Sequence, residues 1–273
     1  MNPTSFLNGA TSIIGIVGDP IAQVKSPAGM TAGLIARGLN SIVVPFHVTQ
    51  GDLTNFVHGI SLAKNLTGLI VTVPHKFAFY ELCATSSARS RLMRTVNVLR
   101  RNEDGSWYGD IFDGEGFVLS LIRGGGAPQG KRVLLVGAGG AGTAIAMALL
   151  EAGVAELAVH DSNTERRDTL LTQLAPIANG RLSPGSADPS GFDIVVNATP
   201  SGMRAGDPLP VDISRLAPTA FAADVITAPE ETPFLQAAKA LGCATRTGVD
   251  MFNSVCELML DFYTPATTTI QAA

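Results

Sequence analysis

Short β-branched or leucine-rich runs alternate along this chain with stretches whose apolar residues recur at helical spacing, and Gly- or Pro-containing segments divide them. Ser12–Val17, Ser41–Val48, Leu66–Val73 and Thr95–Arg101 predict strands, the third closed by Pro74 and the fourth followed by the turn EDGS. Helices are expected from Pro27, over Asp52–Ala63 and, briefly, after Lys76. This alternation predicts an α/β protein with a mostly parallel sheet. Asp113–Arg123 then reads as a linking helix, and Gly124–Gly130 (GGGAPQG) as a flexible joint.

The alternation resumes with a strand at Arg132–Val136, a helix from about Ala141 to Glu151 and a strand at Glu156–His160. A helix near Glu165–Leu174, strands at Asp193–Asn197 and Ala220–Val225, and a helix at Pro233–Leu241 follow. Met251–Tyr263 is an amphipathic helix expected to lie back against the first domain, and the tail TPATTTIQAA is expected to fray. Two domains are thus expected: residues 1–113 with 248–273, and residues 114–247.

One stretch carries a specific chemical signal. Gly137, Gly139 and Gly142 stand at G-x-G-x-x-G spacing directly after a strand and at the opening of a helix. That spacing serves a tight turn, a close backbone approach to a pyrophosphate and a helix packed hard on its strand. The helix directs free N–H groups and the positive end of its dipole at the phosphate. Asp161 ends the next strand, where a carboxylate can accept hydrogen bonds from ribose hydroxyls. Strand, glycine loop, helix, strand and terminal acid together predict a Rossmann-type domain that binds a nicotinamide dinucleotide.

Composition narrows the classes. Of 273 residues, 46% are hydrophobic and 15% charged, which fits a well-buried globular protein. A net charge of −4 without a basic cluster argues against a nucleic-acid partner. Cys83, Cys243 and Cys256 are scattered, match no metal-ligand spacing and read as buried cytosolic thiols, so no metal site is expected. The apolar stretch near the N-terminus lacks a basic flank, so no signal peptide is read. Val133–Leu150 is long enough to cross a membrane, yet it contains the glycine loop and reads as strand plus helix. A soluble, cytoplasmic protein without a membrane partner is expected, as a monomer or homodimer.

Hydride transfer to or from a nicotinamide needs a group that takes or gives the alcohol proton. Lys76, after IVTVPH, and Asp113, in GDIFDG, are the ionisable residues placed for this work. A lysine acts as acid or base when desolvation brings its pKa toward neutrality, and an adjacent aspartate orients the ammonium. A solvated surface charge is the alternative reading of each.

The motifs VTVPHK, TVN-x-L at Thr95–Leu99, GD-x-x-DG at Gly109–Gly114 and GAGGAG resemble those of shikimate dehydrogenases. GDPIAQVKSP, NATPSGM at Asn197–Met203, TPFL at Thr232–Leu235 and GVDMF at Gly248–Phe252 resemble the same family, in order, over nearly the whole chain. The resemblance implies two domains, an N-terminal α/β substrate domain and a Rossmann-type domain, with the C-terminal helix returning to the first. It makes Lys76 and Asp113 the catalytic pair, with Ser26, Thr72 and Asn97 on the substrate and Thr227 in a position where the family has a tyrosine. Gly137, Gly139, Gly140 and Gly142, with the backbone of Ala138 and Ala141, would hold the pyrophosphate. Thr199, Val225 and Gly248 would border the nicotinamide half. Ser26 precedes Pro27, which also suits an N-cap serine, and Thr72 also suits plain strand filler.

The chain departs from the family pattern where substrate is recognised. Gln23 and Val24 replace the histidine and first serine before Ser26, Ile70 an asparagine, and Val255 the glutamine of the last helix. Weak or absent shikimate turnover is expected, with quinate or aminoshikimate oxidation, or a dinucleotide-binding regulator without turnover, as alternatives. Members preferring NADP carry N-R-T after the second dinucleotide-domain strand, whereas this chain reads Asp161, Ser162, Asn163; Arg166 aligns with the family's second arginine. The Asp161 carboxylate suits a 2′-hydroxyl and repels a 2′-phosphate, a repulsion that Arg166 or Arg167 partly offsets, so NAD is expected over NADP.

Overall fold

The protein, seen in a computed structural model, is described over residues 7–22 and 24–264; Gln23 and the tail beyond Thr264 lie outside the described residues. The chain forms two compact units. One comprises the chain through Phe112 together with the chain from Cys256; the other is Asp113–Val255.

In the first unit, β1 (Ser12–Gly18), α1 (Ser26–Ala36), β2 (Ser41–His47), α2 (Leu53–Ile60) and β3 (Leu66–Val71) form the expected parallel core, with β1 between β2 and β3. After α3 (Lys76–Tyr80) come β4 (Thr85–Ser86), α4 (Ala88–Met93), β5 (Val98–Arg101) and β6 (Trp107–Asp110), giving the sheet order β2-β1-β3-β5-β6-β4. β5 runs antiparallel to β3 and β6, so this sheet is mixed. Two predicted strands are trimmed. β3 stops at Val71, because the amide of His75 turns back to the carbonyl of Thr72 (3.0 Å) ahead of α3. β5 begins at Val98 and leaves Asn97 before the strand. On one sheet face Val17, Leu69, Val71, Val96 and Leu99 pack with Phe79 and Trp107 into a buried cluster. Gly68 lies on the other face, where the ring of Tyr263 occupies the space of a side chain and its hydroxyl donates to the Leu69 carbonyl (2.8 Å).

The second unit opens with α5 (Asp113–Arg123), followed by β7 (Arg132–Val136), α6 (Gly140–Glu151), β8 (Glu156–His160), α7 (Thr164–Ala178) and β9 (Leu182–Pro184). β10 (Ile194–Asn197), β11 (Phe221–Asp224), α8 (Pro233–Ala240) and β12 (Ala244–Arg246) complete a sheet of order β12-β11-β10-β7-β8-β9, parallel throughout. This is the doubly wound order whose direction reverses between the first and fourth strands, and such folds bind ligands at the carboxyl ends of those two strands. Here they are β7 and β10.

Gly124–Gly130 does not join the two units. It lies inside the second, where the amides of Gly124 and Gly126 close the end of α5 on the carbonyls of Ser120 and Leu121, and Gly130 donates to Gly153 (2.8 Å). The last helix, α9 (Gly248–Tyr263), begins three residues earlier than its apolar pattern predicts; its residues through Val255 group with the second unit and those from Cys256 with the first. No helix among the described residues is long and apolar enough to cross a membrane.

Helix α5 lies directly on α6. A Cβ on Gly114 would sit 2.0 Å from the Ala144 carbonyl oxygen, a backbone atom that cannot rotate away. Gly114→Ala is therefore expected to cost about 1–3 kcal/mol of overpacking strain, read as a lower urea midpoint.

Candidate active site

In the first unit the candidate residues gather where β1, β2 and β3 end. The turn after β3 is fastened to the ends of its neighbours: Thr72 donates its amide to Val17 (3.0 Å), and Asp19 donates to the Val73 carbonyl (3.1 Å). The imidazole of His75 is buried, and its Nε2–H donates to the carbonyl of Val48 (2.7 Å). Lys76 opens α3, with its own carbonyl accepting from the Val96 amide (3.2 Å). The backbone that carries the half-buried lysine is thus held from both sides.

Ser26 is the first residue of α1 and not its cap. Lys25 holds the N-cap position without a side-chain bond, and Pro27 still falls in the first turn. The buried Ser26 hydroxyl makes no hydrogen bond among the described residues, which removes the capping alternative. Thr72 is not strand filler either; it lies just past β3, its methyl filling the space a side chain on Gly18 would need. Its hydroxyl, like that of Ser26, has no partner among the described residues. Asn97 is buried and partly committed to the fold, because its Oδ1 accepts the Phe112 amide (3.1 Å). Ile70 is buried on the face it shares with Gly68.

The second unit builds the glycine loop. Gly137 adopts φ +109°, donates to the His160 carbonyl (2.7 Å) and has no room for a side chain against Ala198. A Cβ on Gly142 would sit 2.0 Å from the Gly137 oxygen, so α6 starts in direct contact with the loop. Gly139 and Gly140 face open space. Two glycines are thus required by packing and two leave a bare backbone surface beside the first-turn N–H groups of α6, which fits a dinucleotide pyrophosphate. Asp161 turns its carboxylate onto this loop: Oδ2 accepts from the Ala138 amide and Oδ1 from that of Asn163, both at 2.8 Å. Arg166 Nη1 lies 3.8 Å from Asp161 Oδ2.

Beside the loop, at the end of β10, sits a buried polar network that local sequence reading missed. Asn197 Oδ1 accepts from the amide and hydroxyl of Thr199 (3.1 and 2.7 Å), and Nδ2 donates to Asp224 Oδ2 (3.0 Å). Asp224 also accepts from the Thr232 hydroxyl (2.8 Å) and the Ile226 amide (2.9 Å). Burial raises the Asp224 carboxyl above its ordinary value, against the lowering effect of these donors. Gly248 belongs to the same construction, since a Cβ there would meet the Ile226 carbonyl at 2.3 Å and the Val225 carbonyl carbon at 2.5 Å. The half-buried Thr227 hydroxyl has no partner among the described residues. The loop after Thr199 borders an open pocket of about 450 Å³ lined by Pro200, Ser201, Met203, Arg204 and Asp207.

Two further residues escaped the sequence reading although they stand in quoted motifs. Asp110, the first acid of GD-x-x-DG, binds the start of α4 through Ser87 (2.5 Å) and both Nε and Nη2 of Arg89 (2.8 and 3.0 Å). His75 anchors the turn before Lys76 as described. Asp113 is the first residue of α5 and groups with the second unit, Lys76 with the first. Val255 packs on α5, its Cγ2 beside Gly116. No group of metal-ligating side chains occurs among the described residues.

A family model for the shikimate dehydrogenase substrate-binding domain matches residues 16–99. The shikimate dehydrogenase (NADP(+)) of Rubrobacter xylanophilus is 37% identical over 248 residues, 89% of this chain and 87% of that protein. The chain belongs to the shikimate dehydrogenase family. As a member of it, the chain is an NAD(P)-dependent oxidoreductase acting on a CH–OH group. Within this fold class, ligand-free 5-ketofructose reductase of Gluconobacter sp. strain CHM43 superposes with a TM-score of 0.84 at 30% identity, covering 93% of this chain and 92% of that one. The quinate dehydrogenase of Corynebacterium glutamicum in complex with NAD superposes with a TM-score of 0.86 at 28% identity, over 94% of this chain and 95% of that one.

The Asp224 network sets a stability prediction. Three donors converge on its carboxylate, so Asp224→Asn turns an amide NH2 against at least one of them and is expected to cost about 1–3 kcal/mol in chemical denaturation. Because burial raises the folded carboxyl, folded protein holds that proton more tightly than unfolded chain. The wild-type contribution is then full below about pH 4 and declines as pH rises through the folded pKa, so the gap between wild type and Asp224→Asn narrows from acid toward neutral pH.

Proposed function

We propose that this family member interconverts a ring hydroxy acid and its keto form, prefers NAD, and turns over shikimate itself poorly. The observation that carries this reading is a retained pair of reactive residues beside an altered recognition set. Lys76 stands at the start of α3 on a turn fastened from three sides, and Asp113 opens α5, which Gly114 seats on α6. In the reading, the cofactor when bound accepts or delivers the hydride. Lys76 takes the proton from the reacting hydroxyl oxygen during oxidation and returns it during reduction, and Asp113 orients the ammonium. Ser26 and Thr72 supply hydroxyls to the substrate acid and ring, Asn97 its carboxamide, and Thr227 a further hydroxyl.

Ile70, Val24 and Val255 supply no hydrogen bond where the family pattern has Asn, Ser and Gln. A hydrogen bond to a charged group contributes about 1.5–3 kcal/mol, so two lost contacts weaken shikimate binding by about 10²–10⁴-fold. The similarity to a quinate dehydrogenase and to a 5-ketofructose reductase supports a substrate other than shikimate within the same proton and hydride chemistry.

Cofactor preference rests on Ser162, which brings no cation to the place where the family's NADP pattern has arginine. Gly137, Ala138, Gly139, Gly140, Ala141 and Gly142 would hold the pyrophosphate, and Thr199, Val225 and Gly248 the nicotinamide side.

Steady-state reduction of NAD with shikimate, quinate and related hydroxy acids tests the reading. A substrate other than shikimate is expected to give the higher kcat/KM, and Lys76→Ala to lower its kcat by about 10²–10⁴-fold while NADH binding stays unchanged. Efficient shikimate turnover would sink the altered-pocket argument. Tight NAD binding without turnover across the panel would favour a regulator instead. Ser162→Arg is expected to move the kcat/KM ratio toward NADP by about 10–100-fold, the value of one charge-assisted bond to the 2′-phosphate.

A further inference from the structure

The partners of the Asn197 carboxamide fix which way it faces. Its Nδ2 donates to Asp224 Oδ2 (3.0 Å) and to the Ser201 carbonyl (3.1 Å), while its Oδ1 accepts from the Thr199 amide (3.1 Å) and hydroxyl (2.7 Å). The two ends of an asparagine side chain have nearly the same shape, so the chemistry of the neighbours decides its orientation. Here the deciding neighbour is Asp224. Its carboxylate accepts from Asn197, from the Thr232 hydroxyl (2.8 Å) and from the Ile226 amide (2.9 Å), and Asn197, Asp224 and Thr232 are all buried.

Thr199 carries that orientation to the glycine loop. Its hydroxyl accepts the Ser201 amide (3.1 Å) as it donates to Asn197, and its methyl stands 3.0 Å from the place a Cβ on Gly137 would take. Thr199 is thus clamped between Asn197 and the first glycine of the loop after β7. Beyond it the chain turns through Gly202 at φ +110°, beside Thr232, and Asp207 Oδ2 accepts the amides of Gly202 and Arg204 (both 3.0 Å). Asp207 closes this segment at its far end, and Asp224, through Asn197, sets its start.

We propose that Asp224 is a positioning residue for the cofactor: by fixing the Asn197 carboxamide it places Thr199 beside the glycine loop before a dinucleotide arrives. The inference rests on the dinucleotide reading above, in which Thr199 borders the nicotinamide half. Placement ahead of binding leaves less ordering to be done when the cofactor enters.

Equilibrium binding tests it, with NADH or NADPH, whichever wild type holds more tightly, and with the matching fragment that lacks nicotinamide, ADP-ribose or its 2′-phosphate. Asp224→Ala removes the acceptor that fixes Asn197, and Thr199→Val removes the hydroxyl that Asn197 holds while keeping its shape. Each is expected to raise the dissociation constant of the dinucleotide by about tenfold or more and that of the fragment by no more than about threefold. Because both act on one contact, the double variant is expected to lie within about threefold of the weaker single variant, where independent sites would multiply to about a hundredfold or more. Thr199→Ser, which keeps the hydroxyl, is expected to bind the dinucleotide at least about fivefold more tightly than Thr199→Val.

Equal losses for dinucleotide and fragment, or losses that multiply in the double variant, would make Asp224 a purely structural acid and overturn the proposal. If Asp224→Ala does not fold, the Thr199 variants decide: dinucleotide binding by Thr199→Val as tight as that of wild type overturns it. Wild type that binds neither dinucleotide nor fragment would overturn the dinucleotide reading and this inference with it. Equally tight dinucleotide binding by wild type and Asp224→Ala overturns this inference alone.

Discussion

The second unit depends on two places where a side chain cannot exist. At Gly142 the start of α6 touches the carbonyl of Gly137, and at Gly114 α5 touches the carbonyl of Ala144 on α6. Both contacts are backbone against Cα, so they admit no rotamer adjustment and index three segments to one another more tightly than side-chain packing does. The glycine loop takes its place from the first contact, and Asp113, one residue before Gly114, takes its place from the second. Asp113 and the glycine loop are thereby referenced to the same helix.

The same constraint explains what was legible in the sequence. G-x-G-x-x-G can be read from spacing because each glycine answers a steric demand within a few residues: a positive φ at Gly137, bare backbone at Gly139 and the helix contact at Gly142. β7, β8 and Asp161 follow from that local grammar. The Asn197–Asp224–Thr232 network has no such local cause. Its members meet only because β10 and β11 pair in register, Asn197 opposite Asp224, and nothing near any one of them announces the others. Asp110 was hidden in another way, since the motif that contains it also contains Asp113, and spacing alone does not show which of the two acids binds Arg89. Ser26 misled by a single position because proline suits the first turn whether the serine is cap or first helical residue. Strands of two or three residues, such as β4, β9 and β12, are shorter than the period that would reveal them.

Polar groups in the first unit divide between those the fold has engaged and those it has left open. The Asn97 carbonyl oxygen and the His75 Nε2–H hold backbone in place, whereas the hydroxyls of Ser26 and Thr72 make no hydrogen bond among the described residues. Hydroxyls both donate and accept, and they rotate to suit a partner. Under the proposed function, hydroxyls of this kind accommodate variation in ring substituents better than fixed carboxamides do, in keeping with Val24 and Ile70 standing where the family pattern has Ser and Asn.

The first unit is also closed by the far end of the chain. Its sheet offers a notch at Gly68, and the ring that fills it, with a hydroxyl on the Leu69 carbonyl, belongs to Tyr263. Asp113–Val255 is continuous in sequence, whereas the first unit needs residues from both sides of it. During synthesis the sequence of the second unit is therefore complete before that of the first, although domains generally fold as units from the N-terminal side. The dinucleotide-type unit has its whole sequence before the ribosome reaches Tyr263, while the earlier-made β1, β2 and β3 wait with the Gly68 notch uncovered. The last helix supplies the wall that the first unit's own earlier segments lack at Gly68.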